Sequence, residues 1–176
     1  MEKSAKSIAI NYGVILGVIS SAILVTIYTL NPELFLAPWL GIVLVLMTII
    51  FGILSSVKVK SSLKGFISFK GGFTSYFITV AIGSFFSIIL TFLLFSVIDT
   101  ETGLFLNEKL LEMTLETLKS IGMSEASIEQ AMKQAGEQNN FSLGTQIQTY
   151  IIRLVIFCVF GLISSLILKN EDPNAA

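Results

Sequence analysis

The sequence predicts an all-α integral membrane protein, with four transmembrane helices and an extracytoplasmic helical hairpin between the third and fourth spans. Three observations carry this. Of the 176 residues, 53% are hydrophobic and only 13% charged, where a soluble domain carries roughly 25% charged residues. Four apolar runs each reach the ~20 residues that a helix needs to cross ~30 Å of hydrocarbon. Between the second and third runs lies Val57–Phe73, with Lys58, Lys60, Lys64 and Lys70 and no acidic residue. A short loop of this kind stays cytoplasmic, because positive loops resist translocation.

The length suits one domain, so 1–176 is read as a single transmembrane domain. There is no histidine, and Cys158 is the only cysteine. This excludes internal disulfides, Cys/His zinc sites and nucleophile pairs built on histidine. No cofactor or metal is expected, and the chain is read as not an enzyme. The basic residues form one membrane-adjacent cluster without an accessible aromatic platform, which argues against nucleic acid as a partner.

The first span is 8–30. It exceeds the ~7–15-residue apolar core of a secretory signal and ends in Tyr28-Thr-Leu-Asn-Pro, so it is read as a retained helix. After the uncharged-to-acidic turn Asn31-Pro32-Glu33, the second span is 34–56, with Pro38 in its first turn, where a missing N–H is no loss. The lysine loop is 57–72, the third span 73–98 and the fourth 145–168, closed by Lys169. Positive charge at the N-terminus, in the loop and at Lys169 predicts cytoplasmic N- and C-termini. Tyr28, Trp39 and Tyr150 fall at outer helix ends, and Tyr12 and Tyr76 near inner ones, where interfacial belts favour such rings.

The connection 99–144 carries three lysines (109, 119, 133) against eight acids, Asp99 and Glu101, 108, 112, 116, 125, 129 and 137. It is too long for a plain loop and reads as a helical hairpin. Asn107 is expected to cap a helix through Ile121, Gly122 to end it, and Ser124 to cap a second through Ala135. Leu111, Leu115 and Leu118 form an apolar stripe, with Glu108, Glu112 and Glu116 on another face. The acids offer a docking surface for a membrane or extracytoplasmic protein partner; the plainer reading is a solvated face.

Small residues recur at four-residue spacing: Gly13, Gly17 and Ser21; Gly52; Gly83 and Ser87; Gly161 and Ser165. Such stripes let membrane helices approach closely. Packing within the bundle is expected, with a homo-oligomer interface or a polar substrate path as alternatives. Arg153 is the one charge well inside a span. Asp99 and Glu101 close the third helix on the same side, so Arg153 with Asp99 and Glu101 is a candidate intramembrane ion pair. Snorkelling of the guanidinium to the interface is the other structural reading. Lys58, Lys60, Lys64 and Lys70 set topology and can contact the anionic headgroups of membrane lipids.

Three places carry a resemblance to a known family: Tyr12-Gly-Val-Ile-Leu-Gly17, Gly65-Phe-Ile-Ser-Phe-Lys70 with Phe73, and Val97-Ile-Asp99 followed by Gly122-Met-Ser-Glu125. With these the chain resembles a family of small bacterial integral membrane proteins classed as a domain of unknown function. The resemblance implies four spans and a multi-pass location in the bacterial cytoplasmic membrane, and brings no functional residues with it. The function expected is that of a non-enzymatic membrane component acting through protein or lipid contacts. The alternative is a small oligomeric transporter or channel using Arg153 and the small-residue stripes.

Overall fold

The computed structural model describes residues 3–170. Four of its six helices are long and apolar enough to cross a membrane: α1 (Lys3–Leu30), α2 (Pro38–Ser62), α3 (Phe69–Leu93) and α6 (Leu143–Leu168). A π-helical turn, Leu94–Ile98, extends α3 so that its span reaches Ile98. The shorter α4 (Thr100–Ser120) and α5 (Glu125–Gly136) form the hairpin between α3 and α6. The bundle thus has a hairpin end and a lysine end.

Local chemistry sets the boundaries. Asn31 caps a 3-10 turn, Pro32–Leu36, accepting the Glu33 N–H at 3.0 Å. That turn takes up the start of the expected second span, and Pro38 becomes the first residue of α2. At its other end α2 runs past Ser56 to Ser62, so Lys58 and Lys60 are helical and the lysine loop shrinks to 63–68. Nothing in Val57-Lys-Val-Lys-Ser-Ser breaks a helix. The break comes where Lys64 (φ 57°) and Gly65 (φ 89°) turn left-handed and the Gly65 N–H returns to the Lys60 carbonyl at 3.0 Å. Ser68 then caps α3, accepting the Gly71 N–H at 3.1 Å.

The hairpin departs from expectation at its start. Asn107 is not its cap: the Asp99 side chain accepts the Thr102 N–H at 3.0 Å and begins α4 at Thr100. Asn107 lies inside α4, where its Oδ1 accepts from the Asn140 backbone (3.1 Å) and side-chain amide (2.7 Å). Gly122, at φ 73°, turns the chain after α4, and Ser124 and Ser142 cap α5 and α6.

The centre of the bundle is α3. It packs against α1, α2 and α6; α2 also touches α1 and α6, while α1 and α6 do not meet. Buried residues from Ala5 to Ile27 form one stripe along α1 at helical spacing. A Cβ at Gly17 would stand 2.6 Å from Phe86 Cγ, and one at Gly13 2.8 Å from Ile82 Cβ. Hydroxyls cross the seams as well: between α3 and α1, Thr79 Oγ1 donates to the Ala9 carbonyl at 3.0 Å, and between α2 and α3, Ser56 Oγ donates to the Gly72 carbonyl at 2.9 Å.

Each end has its own closure. At the lysine end, Ala5, Val59 and Ile67 are buried together. Ile67 and Asn170 exchange backbone hydrogen bonds at 2.8 and 2.9 Å. At the hairpin end, Leu94, Phe95, Leu106 and Phe141 form a cluster, with the Phe95 ring 4.8 Å from Phe35 and 4.9 Å from Phe141. Gly103 lets α4 lie directly against the Phe95 carbonyl. Among the helices, α5 touches only α4.

Candidate functional site

Between the hairpin-end cluster and the middle of the bundle lie two adjoining cavity lobes of about 340 and 160 Å³. Both are walled by Gly41, Leu44, Ser87 and Arg153. The larger lobe is within the range of small-ligand sites.

Helical spacing builds the walls. Thr145, Thr149, Arg153 and Phe157 come four apart from α6 and so share one face. Ser84, Ser87 and Thr91 of α3 stand beside them, and Gly41, Leu44 and Thr48 of α2 stand opposite. Phe35, Leu110 and Phe141 form the roof. Asn140 stiffens it, bonded to Asn107 and accepting Gln146 Nε2 at 2.8 Å. The floor is Phe157, which packs with Tyr76 and Val80. Thr48 and Thr91 donate to carbonyls of their own helices, at 2.7 and 2.9 Å, leaving their oxygens as acceptors toward the cavity.

Arg153 is the one charged residue in this lining. At about 1.5 Å per residue, its distance from Leu143, where α6 starts, puts it roughly 15 Å below the hairpin end. The candidate ion pair of Arg153 with Asp99 and Glu101 does not form. Asp99 is engaged elsewhere: its carboxylate accepts Tyr28 Oη at 2.8 Å as well as the Thr102 N–H. The Thr102 backbone N–H, then the Thr102 hydroxyl, then that of Tyr28 hold the Asp99 carboxyl below the usual range. Glu101 is exposed. Among the described residues, the ion pair that does form joins Lys109 and Glu112 of α4 at 2.9 Å.

A DUF4199 family model, described as "Protein of unknown function", matches residues 11–170. The chain belongs to DUF4199. The match takes in the whole cavity lining and the hairpin. No curated protein and no solved structure matches the chain.

Within this DUF4199 chain the small residues divide between two settings. Gly13, Gly17, Gly52, Gly83, Gly161 and Ser165 sit in close approaches between helices of the one molecule. Ser87 instead walls the cavity, and Ser21 borders a shallow apolar groove beside Phe85 and Phe86. The lysines divide too. Lys58, Lys64 and Lys70 are exposed, whereas Lys60 is half-buried and donates to the Leu168 carbonyl at 2.9 Å.

Tyr76 departs from its expected interfacial place. It is 1% exposed, its ring held between Gly52 and Gly161, where an added Cβ would come within 2.6 and 2.7 Å of it. Two glycines on neighbouring helices make a slot that one aromatic ring fills, and the ring seals the bundle beneath the cavity. Sequence periodicity marks Gly52 and Gly161 as small; only the assembled bundle reveals which ring they receive.

Proposed function

We propose that this DUF4199 protein is a non-enzymatic component of a bacterial cytoplasmic membrane that works by holding a ligand in the cavity beneath its hairpin. The lysine distribution supports a cytoplasmic lysine end and an outward-facing hairpin end. The observation that carries the reading is the cavity itself, with one guanidinium and several hydroxyls facing a space that no described side chain fills. An ionised group at such depth costs free energy unless it is paired or hydrated. Among the described residues Arg153 has no carboxylate partner, which leaves its pairing or hydration to something else. The sealed floor supports a holding site rather than a continuous path.

Native mass spectrometry of the full chain, extracted gently from its own membrane, tests this. The wild type is expected to carry a bound small molecule, and Thr149→Trp, which intrudes on the larger lobe, to lose it. A wild type that flies bare, or an adduct indifferent to Thr149→Trp, contradicts the proposal.

A further inference from the structure

The way into the cavity is written in which of its walls are accessible. Of all its lining residues, only Gly41 and Val45 of α2 and Arg153 of α6 are exposed; the roof residues Phe35, Leu110 and Phe141 are half-buried or buried. A Cβ at Gly41 would meet nothing within 4 Å. Nearer the lysine end the same two helices are drawn together, by Tyr76 between Gly52 and Gly161 and by Lys60 on the Leu168 carbonyl. The cavity therefore opens sideways, between the hairpin-end halves of α2 and α6, toward the hydrocarbon that surrounds a membrane helix.

From this we infer that the cavity binds the anionic, phosphate-type headgroup of a membrane lipid, which slides in between α2 and α6 while its acyl chains stay in the bilayer. This rests on the ligand-holding reading above and names its ligand. Arginine presents a planar fork of donors that matches two phosphate oxygens at once. Ser87 and Thr149 flank it with hydroxyls able to reach the remaining oxygens. The lobe of about 340 Å³ has room for a headgroup, while the tails stay outside along the mouth. On the same two helices Ile42, Leu46, Ile152 and Ile156, close in sequence to Gly41, Val45 and Arg153, are exposed and apolar.

Charge separates a lipid from a soluble anion as the source. A free phosphate would approach from water past the hairpin, whose eight acids outnumber its three lysines and repel it. A lipid diffusing in the leaflet meets no such barrier.

The test uses the full chain in phosphatidylcholine vesicles doped with chain-spin-labelled phosphatidylglycerol or phosphatidylcholine, reading the motionally restricted fraction by electron paramagnetic resonance. A background in which Lys3, Lys6, Lys58, Lys64, Lys70 and Lys169 are all changed to Gln removes the exposed lysines of the lysine end. In that background the phosphatidylglycerol label is expected to be preferred roughly tenfold at one site, as for a charge-assisted pair. Arg153→Gln should abolish the preference and Arg153→Lys restore part of it. An unchanged phosphatidylcholine shell reports that both variants remain folded. Preference surviving Arg153→Gln, or absent from the start, overturns the inference. Loss of preference on adding inorganic phosphate overturns the lipid as source. A molecule retained in native mass spectrometry without any headgroup preference leaves the holding function standing and removes only its anionic lipid identity.

Discussion

At the lysine end α2 and α6 are drawn together around Tyr76 and clasped by Lys60, while at the hairpin end the same two helices stand on either side of a cavity. Both halves contain glycine, serine and threonine at helical spacing. In the lysine half, Ser55, Ser56, Ser75 and Ser165 are completely or almost completely buried. In the hairpin half Ser87, Thr91 and Thr149 are half-buried on cavity walls. A small residue thus makes close packing only when another group arrives opposite it. Tyr76 arrives at Gly52 and Gly161, and nothing arrives at Gly41.

Enlarging the seam glycines should break this contrast most severely. Gly52→Leu and Gly161→Leu each drive a side chain into the Tyr76 ring and are expected to cost roughly 3 kcal/mol, read as loss of folded protein in a denaturing-detergent titration. Gly41→Leu, on the cavity wall, should leave the midpoint almost unmoved. If all three behave alike, the two halves are packed alike and the comparison fails.

Arg153 supplies the next largest effect, with opposite sign. In zwitterionic lipid, without an anionic partner, Arg153→Met removes an uncompensated intramembrane charge and should raise stability by about 2 kcal/mol. A destabilised Arg153→Met would mean that the protein itself satisfies the guanidinium. Thr79→Val, which keeps shape but deletes the hydroxyl bridge to the Ala9 carbonyl, should cost only about 0.6 kcal/mol in the same titration. A change several times larger would point to a polar network rather than one bond.

The smallest effect is confined to the hairpin end. The folded-state pKa of Asp99 is depressed, so its contribution is present above the ordinary carboxylate value and is lost as pH falls through the depressed one. Amide-exchange protection in the first turn of α4, at Thr102 and Gly103, should therefore decline on acidification, while that around Val59 holds. In Asp99→Asn the acid dependence should vanish; its persistence would assign it to another group.

The four spans were readable because a bilayer imposes a length and a polarity that no other environment demands. Gly122 and Ser124 were readable because a left-handed turn and a helix cap each demand a small set of residues. Hydropathy failed where helix and hydrocarbon do not end together. Lys58 and Lys60 continue α2 beyond the apolar run, and α3 begins at Phe69 despite Lys70. Asp99 was read as a charge in search of Arg153, but its first demand is local, as the cap of α4. Of the cavity lining, the sequence marked Arg153 as a charge inside a span and Ser87 as a small residue, and neither as the wall of a hollow. Its opposite wall required knowing that α2 comes against α6, and a pairing of helices distant in sequence is not contained in any one helix's periodicity. Tyr76 failed for the same reason.

The most direct test of a hollow hairpin half above a sealed lysine half is one substitution made in each. Ser87→Leu adds its side chain to the cavity, and Ser165→Leu adds the same one to the seam with Gly72. Measured side by side in the detergent titration, Ser87→Leu should match or exceed the wild type, while Ser165→Leu should lose about 1–3 kcal/mol. Equal losses at the two positions would contradict the account.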